Sequence, residues 1–222
     1  MGTAAPIPIG QGAKPRLRGV SHLYATFGAL VAGVALVASA PAGRATFAAS
    51  VYAVTLVMMF AVSALYHRGR WSPAAALRWL KADHTAIFLF IAGTYTPIAL
   101  LTLHGSSRAL ALAAAWAGAA LGTAFEWTPI AAPRGYVTTV YLVVGWVGAL
   151  TFVELWHRLG ALGPLLIAGG GVCYTAGALA LAARRPDPWP ATFGYHEVFH
   201  ALVIVGAVMH YCTIAFIVLP RA

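Results

Sequence analysis

At 222 residues, with 61% apolar and only 9% charged side chains and a mean hydropathy of +0.81, the chain lies far outside the soluble range, where about a quarter of residues are charged. That composition excludes a soluble domain and predicts an all-α integral membrane protein. The formal charge of +9 is accounted for by topology and contact with anionic lipid, so it makes no case for nucleic acid as a partner.

A spanning helix needs about 20 mostly apolar residues, and the chain offers seven such stretches. Residues 1–20 precede them. They carry Lys14, Arg16 and Arg18, no acidic residue, and neither the apolar core nor the cleavage site of a signal peptide before the first span. They are expected to form a short basic tail in the cytoplasm. The first span is predicted over 21–40. The second, over 45–66, closes with Ser63 and, just beyond it, His67. The third, over 84–103, opens at Asp83 and contains Pro97, which is expected to kink it. His104-Gly-Ser-Ser-Arg108 is read as a turn into the fourth span, 109–126, whose Gly118-Ala-Ala-Leu-Gly122 suits close helix approach. The fifth and sixth are placed at 137–155 and 161–182. The last, 196–219, opens on His196-Glu-Val-Phe-His200. Joined by short connections, the seven spans fill residues 21–222 as one seven-transmembrane helix bundle with no room for a soluble domain.

Basic residues resist translocation, so their distribution sets the orientation. With the N-terminus inside, one face holds Lys14, Arg16, Arg18, Arg68, Arg70, Arg78, Lys81, Arg134, Arg184 and Arg185, while the other holds Arg44, Arg108, Arg158 and Arg221. Ten against four predicts a cytoplasmic N-terminus and an outside C-terminus. Cys173 and Cys212 both fall within spans, without zinc-type spacing, and are read as packing residues.

Ionisable side chains at the ends of spanning helices are costly and commonly mark a site. His196 and His200 are four apart, hence about 6 Å apart along one helix face, and both can turn a ring nitrogen to one ion. The match to His-Glu-x-x-His is literal, but no Asp or Glu follows His200, so a third ligand must come from upstream. The threading supplies His67, because the second span ends, the third begins and the seventh begins on one membrane face. Three histidines with an open fourth position would suit a catalytic Zn2+. Ser63, one turn before His67, can donate to a substrate carbonyl, and Asp83 can hold and deprotonate the water.

Each residue also has a plainer reading. The three histidines can snorkel to the interface, Asp83 can be the N-cap of its helix, and Ser63 can bond its own backbone. Glu197, about 100° around the helix from His196, is read as structural. His22, His84, His104 and His157 are read as interfacial. Glu126 and Glu154 are read as solvated, with Glu126 ending near the site. His210, about 15 Å further along its helix, is read as bonded to a partner inside the bundle.

Four stretches carry a family resemblance. Ser63-Ala-Leu-Tyr-His67, Ala82-Asp83-His84 followed by Gly93-Thr-Tyr-Thr-Pro97, Tyr141-Leu-Val-Val-Gly-Trp146 and His196-Glu-Val-Phe-His200 together resemble the hemolysin III family. That family is the bacterial branch of the progestin and adipoQ receptors, within the wider group that includes alkaline ceramidases. The resemblance covers roughly residues 21 to 219. It implies a multi-pass protein of the bacterial cell membrane with zinc near the inner leaflet. The implied ligands are His67, His196 and His200, with Asp83 on the metal-bound water, Ser63 beside it, and a lipid amide or ester as substrate within the bundle. It departs from the pattern before the first span, where the basic Lys14-Pro-Arg-Leu-Arg18 replaces the usual acidic residue. Three rivals stand beside the hydrolase: a receptor or regulator with a structural zinc, an intramembrane metalloprotease using Glu197, and a pore-forming hemolysin.

Overall fold

The computed structural model describes residues 14–129 and 135–222. Residues 1–13 of the basic tail, and Arg134 from the charge count, lie outside them. Eight α-helices run in order: α1 (Val20–Ser39), α2 (Arg44–Arg68), α3 (Pro73–Thr102), α4 (Gly105–Glu126), α5 (Tyr136–Trp146), α6 (Phe152–Leu159), α7 (Leu162–Ala183) and α8 (Tyr195–Thr213). A 3-10 turn over Val147–Thr151 joins α5 to α6 into one span, and π and 3-10 turns carry α8 on to Arg221. Seven of the resulting helices are long and apolar enough to cross a membrane.

These helices are apolar all round, the pattern of segments whose outer faces meet lipid. Phe27, Val31 and Val34 of α1 and Leu121 of α4 are exposed. Inside, Thr55, Thr94, Thr96 and Thr213 are buried, and each hydroxyl donates to the carbonyl four residues back at 2.8–3.0 Å, so these four donors are satisfied within their own helices. Chain neighbours pack in series, α1 on α2, α2 on α3, α3 on α4 and α7 on α8. Contacts of α8 with α1 close the ring, and α3 also reaches α5 and α6. Gly118 backs onto Val144 and Gly122 onto Phe88 so closely that an added Cβ would lie 2.7 and 2.4 Å from those side chains. This is the close approach expected of small residues.

Two elements differ from the sequence reading. The third helix begins ten residues before Asp83, at Pro73 behind the N-cap Ser72, whose hydroxyl accepts from Ala75 N at 3.4 Å. Arg78 and Lys81 make its first turns too polar to register as a span, although Ser-Pro is a strong helix start. Asp83 is therefore not an N-cap. The fifth span is not one regular helix either. Its break is met by Tyr95 of α3, whose hydroxyl donates to Gly145 O at 2.8 Å and accepts from Gly148 N. A side chain from a neighbouring helix thus satisfies backbone groups the broken ladder frees. The break between the third and fourth spans is tighter than the His104–Arg108 turn read from sequence: Leu103 and His104 are the two caps, and Gly105–Arg108 already belong to α4.

Candidate metal centre

The end of α2, the third turn of α3 and the start of α8 meet at one end of the bundle. His67 occupies the last turn of α2. His196 and His200 occupy the first two turns of α8, which starts where Glu197 Oε2 accepts from Gly194 N at 2.9 Å. The three imidazoles form a near-equilateral cluster, with ring centroids 4.7 Å (His67–His196), 5.0 Å (His67–His200) and 4.6 Å (His196–His200) apart. One ligand nitrogen from each lies within 4.8 Å of the other two, and the Nε2 atoms of His67 and His196 are 3.2 Å apart. Zinc–nitrogen bonds of about 2.0–2.1 Å in a tetrahedron put neighbouring nitrogens roughly 3.3 Å apart. Three neutral imidazoles in this array make a donor set able to hold a metal ion.

Asp83 stands beside that set, its Oδ2 3.8 Å from His67 Nε2. Ser63 is buried and lies next to the Asp83 carboxyl group. The structure therefore brings all five sequence-read site residues together.

Two cavities meet at this point. A vestibule of about 940 Å³ has a mixed wall, with Lys14, Arg18, His67, Lys81, His84 and His196 set among apolar residues such as Trp71, Leu80 and Phe125. A second, almost wholly apolar cavity of about 200 Å³ runs into the bundle past Met59, Phe90 and Leu155 towards His210. Asp83 lines both, and Ser63 lines the apolar one. His210 is buried and its Nε2 lies 3.0 Å from the Ile167 carbonyl oxygen.

Several residues stand where the sequence did not place them. His22 is not interfacial: it is 2% exposed and stacks on His200 with centroids 3.8 Å apart and planes 15° apart. His84, read as interfacial, and Glu126, read as solvated but ending near the site, pair with each other, His84 Nδ1 lying 3.0 Å from Glu126 Oε1 on the vestibule wall. His104 and His157 are exposed, and Glu154 pairs with Arg158 at the far end. Glu197, 1% exposed, accepts from Arg18 Nε on one oxygen and from Gly194 N on the other. Both its oxygens are engaged by these partners and the residue lies outside the three-histidine donor set, which argues against the role of protease base. The Arg18 side is also tied through the backbone, with Arg16 N donating to Ala191 O at 3.0 Å and Leu17 N to Thr192 O at 3.1 Å. His22 and Arg18 carried a readable signal: the first span begins on the face where the second ends, so the threading that gathered His67 and His200 gathers them too.

A match to the family described as Haemolysin-III related extends over residues 11–211. The chain is similar to Hemolysin-3 of Bacillus cereus, with 32% identity covering 80% of this chain and 78% of that protein. It is similar to the Hemolysin-3 homolog of Bacillus subtilis (strain 168), at 28% over 76% of each. It is also similar to the heptahelical transmembrane protein ADIPOR2 of Oryza sativa subsp. japonica, at 29% over 74% of this chain and 79% of that one. With that match spanning most of its length and seven membrane-length helices carrying it, the chain belongs to the hemolysin III family of multi-pass membrane proteins.

Proposed function

We propose that this protein is a zinc-dependent hydrolase of lipid amide or ester bonds, acting at the cytoplasmic leaflet of the bacterial cell membrane. One observation carries the reading: His67 and His196 of the donor set line a vestibule that also carries Lys14, Arg18 and Lys81, an almost wholly apolar cavity adjoins it, and Asp83 lines both. A lipid has that same division, a polar head joined to an apolar chain by an amide or ester. The ten-to-four split of basic residues supports the cytoplasmic side for this end of the bundle.

His67, His196 and His200 would hold the metal, which when bound would supply Lewis-acid activation of a carbonyl and of water. The apolar cavity takes the acyl chain and excludes water from it, while the vestibule takes the headgroup. Asp83 Oδ2 accepts the proton of the attacking water, and the Ser63 hydroxyl donates to the carbonyl oxygen as charge builds on it. When the C–N or C–O bond then breaks, Asp83 passes that proton to the leaving amine or alkoxide, and the acyl group departs as the fatty acid.

The test is release of fatty acid, followed by mass spectrometry, from a panel of ceramides, other N-acyl lipids and phospholipids by purified, zinc-loaded protein in nanodiscs. Release from at least one class, lost in Asp83→Asn, supports the proposal. Stoichiometric zinc with no release across the panel overturns it in favour of a metal that only ties α2 to α8.

A further inference from the structure

We infer that His22, on a helix that supplies no metal ligand, is a positioning residue of the metal centre, fixing the plane of the His200 imidazole by face-to-face stacking. The inference rests on the three-histidine metal reading above and adds a residue to it.

The geometry is that of two flat rings in register. His22 and His200 have centroids 3.8 Å apart and planes only 15° from parallel, whereas the three ligand rings meet one another at 58–79°. Both ring nitrogens of His22 are buried without a side-chain hydrogen-bond partner, and a backbone group of His200 lies beside the ring. The contact with the His200 imidazole is made by the ring face. Phe60 of α2 also meets His22 edge to face, with centroids 5.1 Å apart and planes at 70°, so ring contacts link α2, α1 and α8. A histidine ligand turns about its side-chain torsions, and a metal holds best when the ring is already aligned; residues outside the ligand set that fix such rings typically contribute 10–100-fold to affinity. Nδ1 of His200 has no hydrogen-bond partner, so the hydrogen bond that commonly orients a metal-bound imidazole is not made at that atom. The stacked ring takes its place. The same turn of α1 braces a second ligand, since Gly19 sits so close to His67 that an added Cβ would lie 2.7 Å from His67 Cβ.

The experiment is metal titration of the full-length protein, using zinc in competition with a chromophoric chelator and cobalt for its visible bands, on wild type, His22→Ala, His22→Leu and His22→Phe. Size-exclusion elution and circular dichroism confirm folding of each. Ala removes the ring, Leu keeps bulk without a plane, and Phe keeps a plane without nitrogens. The expected result is a loss of about tenfold or more in affinity for Ala and Leu, near-wild-type affinity for Phe, and cobalt bands shared by wild type and Phe but displaced in Leu. Wild-type affinity in His22→Leu overturns the inference, because volume then suffices. Affinity as poor in Phe as in Ala overturns it too, because the nitrogens then act and not the face. Failure of wild type to take up either metal removes the metal reading itself, a result distinct from both.

Discussion

His67 and His196, 129 positions apart in the chain, hold their Nε2 atoms 3.2 Å from each other. Two neutral imidazoles at that distance share one proton or one cation, and His200 on the next turn of α8 adds a third donor to the same point. The helices that converge there, α2, α3 and α8, are also the ones whose spans are most buried. The site therefore sits on the rigid part of the bundle, where ligand geometry is held by packing.

Asp83→Asn separates chemistry from structure. The amide cannot accept a proton, yet none of the three imidazoles is removed. The hydrolase reading predicts unchanged zinc stoichiometry by elemental analysis and a fall of about 10²–10⁴ in turnover. Turnover within a few-fold of wild type would remove Asp83 from the mechanism.

Glu197→Gln is expected to damage stability and spare the chemistry. The carboxylate is buried with Arg18 on one oxygen and Gly194 N on the other, and removing one partner of a buried pair costs about 3–5 kcal/mol. A lowered thermal midpoint with turnover per folded molecule retained is the expected result. A complete loss of turnover at wild-type stability would restore the protease-like role.

Gly19→Ala strains two things at once. Gly19 has φ +74°, and a Cβ there would lie 2.7 Å from His67 Cβ. The left-handed conformation alone costs roughly 1–2 kcal/mol for a residue with a Cβ, and relief of the contact moves His67. Both the thermal midpoint and zinc affinity should fall. An unchanged zinc affinity would show that α1 does not brace this ligand.

Ala168→Phe, on the wall of the apolar cavity, should shorten the chain it accepts. Each buried methylene contributes about 0.8 kcal/mol, so displacing two or more raises KM for long acyl chains by about tenfold while short chains keep theirs. A series of substrates differing only in chain length reads this directly.

Much of this arrangement was legible in the sequence, because membrane physics is restrictive. Seven apolar stretches must be helices, alternate threading then assigns each end to a face, and His67, Asp83, His196 and His200 fall on the same one. What the sequence hid were features that hydropathy does not encode. Arg78 and Lys81 masked the first turns of α3, and so Asp83 read as a cap when it lies three turns in. Tyr95 reaching across to Gly148 is a tertiary event that broke a stretch of uniform apolarity. Threading puts His22 on the right face, but its stacking on a ring 178 positions away leaves no local pattern. Glu197 satisfied a protease motif by residue type, and only the position of Arg18 shows that both its oxygens are engaged.

The most direct measurement is metal stoichiometry by elemental analysis of protein purified without added metal, comparing wild type with His67→Ala and His200→Ala. The account predicts close to one zinc per wild-type chain and loss of most of it in both variants, with each still folded. Wild-type protein without metal, or metal retained undiminished when His200 is removed, would contradict it.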